Sequence, residues 1–120
     1  MAKQMAWTDT ENEVNYPESY WRPVQCNFDA LNQMGMIVFL GWKNEAARRR
    51  GKRTIGAKSY TLTPAMYDQF FKESILKDQG KSFMTQAYIM VVATLDVDSG
   101  NLDAEGKPLM KSFFDGASDV

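Results

Sequence analysis

From Tyr20 to Phe28 the chain alternates, with Tyr20, Val24, Cys26 and Phe28 on one face of an extended segment, which predicts a strand over about residues 20–29. Pro23 has no N–H to give to a ladder, so that part of the strand belongs at a sheet edge or a bulge. Asp29-Ala-Leu-Asn-Gln33 supplies a turn, and Met34-Gly-Met-Ile-Val-Phe-Leu-Gly-Trp42 follows, apolar at odd and even positions alike. A strand over 34–43 of that composition is expected at the centre of a sheet, covered on both faces, with Cys26 and Met34 in the core. Gly35 and Gly41 share a face and would permit a bend or a close backbone approach. Weaker alternation gives a third strand over about 55–62, joined to the second by a basic connection. That connection is expected to be a mobile hairpin tip; Ala46 to Arg50 could form a turn of helix there, which Gly51 would stop.

Thr63-Pro64 pairs a capping residue with proline at the first helical position, predicting a helix from about Pro64 to Lys77. Its Met66, Phe70, Phe71, Ser74 and Ile75 recur at helical spacing and should face the sheet. Ser82 could cap a second helix running through Phe83, Ala87, Met90, Val91 and Leu95. Tyr88 to Val97 also carries the β-branched and aromatic content of a strand; Gln86 and Ala87 favour the helix. Turns are expected at Asp98-Ser-Gly-Asn101 and Glu105-Gly-Lys-Pro108, with Leu102, Leu109, Met110, Phe113 and Phe114 forming a tail that docks. Residues 1–18 show neither period and read as an extended N-terminal arm, either a frayed terminus or a segment that Trp7 and Val14 anchor on a neighbouring subunit. The expected class is α+β: an antiparallel sheet of about three or more strands with one or two C-terminal helices packed on it. Residues 19–120 would form a single domain behind the arm.

A chain of 120 residues with 44% hydrophobic content can close one core and is not disordered throughout. The polar N-terminus lacks the form of a secretory signal, so the protein is expected in the cytoplasm on synthesis, and no run is apolar for long enough to span a membrane. There is no histidine, and Cys26 is the only cysteine. Their scarcity removes the commonest general base, the commonest zinc ligand and every Ser-His or Cys-His pair, so no enzyme, metal or cofactor is expected. Asp96-Val-Asp98-Ser-Gly100 resembles the start of a calcium loop but has glycine where the fifth ligand belongs, and reads as an acidic turn. No glycine motif for a phosphate is present.

Charge changes the picture most. Lys43, Arg48, Arg49, Arg50, Lys52 and Arg53 place six of fourteen basic side chains in one connection, in a chain whose net charge is −1. The compensating acid is segregated at the ends: Asp9, Glu11, Glu13 and Glu18, then Asp96, Asp98, Asp103, Glu105, Asp115 and Asp119. Those six basic residues, with Trp7, are the candidate partner-binding residues. Arginine forks pair well with carboxylates, so the basic connection and the acidic termini predict a homo-oligomer whose unlike patches close into rings or propagate into tubes. Nucleic acid is the alternative partner: Trp42 and Tyr60 flank the connection and could stack bases while the arginines meet phosphates. Against it stands an acidic sequence pI of about 5.4.

The stretch from Gly56 through Ala-Lys-Ser-Tyr-Thr-Leu-Thr-Pro-Ala-Met-Tyr-Asp-Gln-Phe to Phe71, then Gln86-Ala-Tyr88 and the closing Ser112-Phe-Phe-Asp-Gly-Ala-Ser-Asp-Val120, resembles small virion proteins of tailed phages and prophages. The likeness covers about the second half of the chain, lies in texture, and carries over no functional residue. It implies a small tail or connector component, assembled in multiple copies with itself or with other virion proteins.

Overall fold

The computed structural model describes residues 2–29, 31–72, 76, 77, 80 and 82–120. In chain order it runs β1 (Lys3–Asp9), β2 (Val14–Asp29), β3 (Met34–Trp42), α1 (Glu45–Arg49), β4 (Gly56–Leu62), α2 (Pro64–Phe70), α3 (Phe83–Ala93), β5 (Val97–Leu102), β6 (Pro108–Lys111) and β7 (Ser118–Asp119). The class is α+β: among the described residues there is a five-stranded antiparallel sheet ordered β4-β3-β2-β1-β7, a separate β5-β6 ribbon and three short helices. Two compact units result: Met1–Gln69 with Gly116–Val120, and Phe70–Asp115.

The first unit is built on the sheet. Its register sets Trp21 opposite Gly41, Pro23 opposite Phe39 and Cys26 opposite Ile37, and then Ile37 opposite Tyr60 and Gly41 opposite Gly56. Directly paired residues share a face, so these side chains form one apolar layer. Trp21, Ile37, Phe39 and Leu62 are fully buried in it. The Trp21 ring lies against bare backbone: a Cβ on Gly41 would sit 2.7 Å from it, and one on Gly56 3.2 Å. Its Nε1 donates to Ser19 Oγ at 2.9 Å, and that hydroxyl donates to the Met5 carbonyl at 2.6 Å, tying β2 to β1. Gly35 is the other close approach, where a Cβ would meet the Asn27 carbonyl.

The segment expected as a free arm is built into this sheet, pairing with β2 from Lys3 opposite Trp21 to Asp9 opposite Val14. Its alternation is hidden because one inward position is Lys3, a charge tolerated there by Asp119 of β7 at 2.5 Å. Trp7 packs edge-on against Trp21, with centroids 5.4 Å apart at 83°, and stacks on Tyr16. A tryptophan expected to anchor a neighbour thus anchors its own sheet.

Pro23 lies where the sequence placed it, at a bulge. The β2–β3 register slips between Pro23 and Gln25, and β1 pairs no further along β2 than Trp21. The extra residue reverses the alternation, so Tyr20, Val24, Cys26 and Phe28 do not share a face, and Val24 is exposed. β3 is interior to the sheet but buried on one side only: Ile37, Phe39 and Gly41 are covered, whereas Val38, Leu40 and Trp42 are half-covered. Met34, expected in the core, is 46% exposed beside the turn. Cys26 is half-buried, and that burial pushes its thiol pKa up.

Both hairpin turns of β2 use one device twenty residues apart. Asp9 Oδ1 accepts from the Glu11 and Asn12 N–H groups while Oδ2 accepts from the Asn12 amide. Asp29 does the same with Leu31 and Asn32. The residue after each asparagine, Glu13 or Gln33, takes positive φ, 56° and 52°. The repeated Asp-x-x-Asn-Glu/Gln pattern is a four-residue hairpin loop written twice.

In the second unit, α3 begins at its Ser82 cap, whose Oγ accepts from Thr85 N at 3.0 Å, so the helical reading of Phe83–Ala93 holds. Ala87, Met90 and Val91 are buried, whereas Ile89 and Val92 are exposed on a helix apolar nearly all round. The expected helix after Thr63 ends at Phe70 and buries no residue fully; Phe71, beyond its last turn, is the buried aromatic, 5.0 Å from Phe83. Ser74 and Ile75 of its expected face lie outside the described residues. Gln86 donates back to the Phe70 carbonyl at 2.9 Å. Asp98-Ser-Gly-Asn101, expected as a turn, lies within β5, where Gly100 takes φ +83° at a register irregularity. Of the expected tail, Phe114 is buried, whereas Leu102, Leu109 and Met110 are exposed on the ribbon; nearby Ser112, also buried, donates its Oγ hydrogen to the Val91 carbonyl at 2.5 Å.

Two measurements check this account. Gly41→Ala should destabilise the protein by about 1–3 kcal/mol in urea denaturation, because the Trp21 ring has nowhere to retreat; a neutral result would refute the slot. The Asn12 and Asn32 amides, with the turn N–H groups, hold Asp9 and Asp29 below the ordinary 3.8. Their stabilisation is complete above that value and is lost as pH falls through the depressed folded values. Asp9→Asn/Asp29→Asn should therefore have a lower melting temperature at neutral pH and a shallower loss of stability on acidification below about pH 4.

Candidate functional site

β2 outruns its neighbour. β3 stops at Trp42, opposite Tyr20, while β2 continues back to Val14. The basic connection occupies this end of the sheet, leaving after Trp42 and returning to the ladder at Gly56, where Ile55 N donates to the Gly41 carbonyl at 2.8 Å.

The connection is a capped helix, not the mobile tip expected. Asn44 Oδ1 accepts from Ala47 N at 2.8 Å, closing the N-terminus of α1. At the other end Lys52 N donates to the Ala47 carbonyl and Gly51 N to that of Arg48, with Gly51 at φ +69°. This pair of bonds is a Schellman motif, and glycine satisfies its left-handed position. Ala47 is the buried residue of α1 and holds it to the sheet.

Lys43, Arg48, Arg49, Arg50, Lys52 and Arg53 are all exposed. The fold sorts them. Arg49 is spent locally on Glu45 at 2.6 Å, four residues back on the same helix. Arg48 stands on the outer surface of α1. Lys43, Arg50, Lys52 and Arg53 converge with Tyr16, Asn44, Ala47 and Ile55 around a depression of about 410 Å³. A second depression of about 460 Å³ adjoins it, sharing Tyr16, Lys43 and Asn44 and continuing along β2 past Val14, Pro17 and Glu18. Among the described residues none of the four converging cations forms an ion pair. Four like charges on a fixed scaffold make a positive field that favours an incoming anion.

The aromatic partner differs from that expected. Tyr60 is buried opposite Ile37 and in edge contact with Phe39 at 5.9 Å, so it cannot stack an external base. Trp42 is half-buried opposite Tyr20. Tyr16 lines the depression instead, held by its stack with Trp7. Sequence reasoning missed Tyr16 because it treated residues 1–18 as detached; the repeated turn pattern at Asp9 and Asp29 was the signal that a hairpin preceded it.

The acidic termini are also sorted. Asp9 and Asp103 accept turn N–H groups, Asp98 accepts from Gly100 N at the irregularity within β5, Asp96 accepts from Phe113 N, and Asp119 meets Lys3. These carboxylates are internal fastenings. Among the described residues no group of His, Cys, Asp or Glu is arranged to hold a metal ion, and no helix is long and apolar enough to cross a membrane.

Comparison with known proteins gives no match to a family model, a curated protein or a solved structure.

Changing Arg48, Arg49, Arg50 and Arg53 to Glu should leave the circular dichroism spectrum intact, because all four side chains are exposed. Asn44→Ala should cost about 1 kcal/mol through the lost cap, read by chemical denaturation.

Proposed function

We propose that this protein is a non-enzymatic assembly protein whose basic connection docks on carboxylates of a partner subunit. The observation that carries the reading is the convergence of Lys43, Arg50, Lys52 and Arg53 on one depression without an internal counterion. Holding like charges together raises the free energy of the isolated chain, and an anionic partner relieves it. The site is short and bounded by Asn44, Ala47 and Ile55, which suits one or two side chains better than a polymer. Its cations include arginines, whose forks match carboxylate geometry. As the phage-like texture implies, such a protein would serve as a virion tail or connector component present in multiple copies. Of the acids expected as the matching surface, those fastened inside turns are poor donors to an interface, so the exposed glutamates are the better counterparts.

A second reading is accessory nucleic-acid binding, favoured by Tyr16 among the cations, where a base could stack while Arg50 and Arg53 meet phosphates.

Size-exclusion chromatography with light scattering across a salt series separates the two. The assembly reading expects a defined multimer at low salt that dissociates as salt rises. A stable monomer that binds single-stranded DNA with a steep salt slope would replace it with the second reading.

A further inference from the structure

Resting on the assembly reading, we propose that the partner carboxylates are Glu11 and Glu13 of a second copy of this chain, exchanged reciprocally in a twofold dimer.

The β1–β2 turn is an acidic knob with a fixed shape. Asp9 takes up the Glu11 and Asn12 N–H groups and the Asn12 amide, and Glu13 sits at φ 56°, so the loop backbone is set before any partner arrives. Glu11 and Glu13 project from it, exposed and without an ion pair among the described residues. A rigid presentation lowers the ordering cost that weakens most surface ion pairs.

The knob and the cationic depression are neighbours on one strand. Val14 closes the turn opposite Asp9, and Tyr16 lines the depression two residues later, a rise of about 7 Å along β2. Glu18 and Lys43 line the depression alongside. Acid and base thus lie side by side at one end of the sheet, yet within the chain they do not pair.

Two unlike patches placed side by side are self-complementary under a twofold rotation. The knob of each copy then meets the depression of the other, and both contacts form at once. Such a contact closes at two copies, unlike the ring or tube that distant patches would give. Glu11 and Glu13 entering against Lys43, Arg50, Lys52 and Arg53 exchange water for charge-assisted hydrogen bonds twice per dimer. A contact made of exposed charges is weak per pair and sensitive to salt.

The test uses the full chain and three variants: Glu11→Lys/Glu13→Lys, Arg50→Glu/Arg53→Glu and the neutral Glu11→Gln/Glu13→Gln, each checked for folding by circular dichroism. Light scattering at low salt should give the wild type the mass of two copies. Each charge-reversed variant alone should be monomeric, because the Glu variant sets lysines against four cations and the Arg variant, with Lys43 and Lys52 left beside two glutamates, has no net positive charge in its depression; the neutral variant should associate more weakly by roughly tenfold or more. An equimolar mixture of the two charge-reversed variants should regain the two-copy mass, because in the mixed dimer one contact is the unaltered pair and in the other the introduced lysines meet the introduced glutamates. Should a charge-reversed variant fail to fold, the neutral variant alone decides, and undiminished association of it overturns the proposal. Loss of association in the Arg variant with wild-type association in both Glu variants would overturn the proposal while sparing the assembly reading. A monomeric wild type would overturn both, and a particle larger than two copies would overturn the twofold closure.

Discussion

The sheet unit depends on one piece of packing, the Trp21 indole lying across two glycines. Only a residue without a side chain leaves room at Gly41, and Gly56, paired with it in the next strand, extends the same slot. From the other side Trp7 closes on the ring, and the Ser19 hydroxyl satisfies Nε1 while binding the Met5 carbonyl. Four strands are therefore located by one side chain. Burial of so large an aromatic with its only polar atom satisfied is a strong stabilising element at this size.

The same glycines root the candidate site. Gly41 and Gly56 form the last pair of the β3–β4 ladder, so the basic connection departs and returns at the edge of the Trp21 slot. Its geometry is then fixed by the Asn44 cap and the backbone bonds after Arg50, and among the basic side chains Arg49 pairs with Glu45 and Arg50 Nε donates to the Ala46 carbonyl at 3.4 Å. A cationic surface held by glycine and asparagine chemistry can be altered in charge without cost to the core.

Acidic residues follow the opposite rule. Asp9, Asp29 and Asp103 serve the turns and Asp98 the irregularity in β5, where a short carboxylate reaches backbone N–H groups two to four residues ahead. Glutamate is one methylene longer and suits that task less well, and in the first unit Glu11, Glu13 and Glu18 are left outward. The apparent charge dipole of the chain thus separates into aspartates that fold it and glutamates that face solvent.

Much of this was legible in the sequence. The three strands over 20–62, the bulge at Pro23, the close approaches at Gly35 and Gly41, the caps at Thr63 and Ser82 and the concentration of arginine all follow from local chemistry, in which residue type and spacing suffice. What failed was non-local. Residues 3–9 looked like an arm because Lys3 interrupts their alternation, and Asp119, more than a hundred residues away, pairs with that charge. Tyr60 looked available for stacking until the register set it opposite Ile37 in the buried layer. Sequence alone determined the strands between residues 20 and 62, the start of the helix at Pro64 and where charge accumulates, because those depend on neighbours a few residues apart. Only the tertiary structure decided which charges are spent on folding and which stand together unpaired, because that depends on strand order and register, which no local pattern encodes.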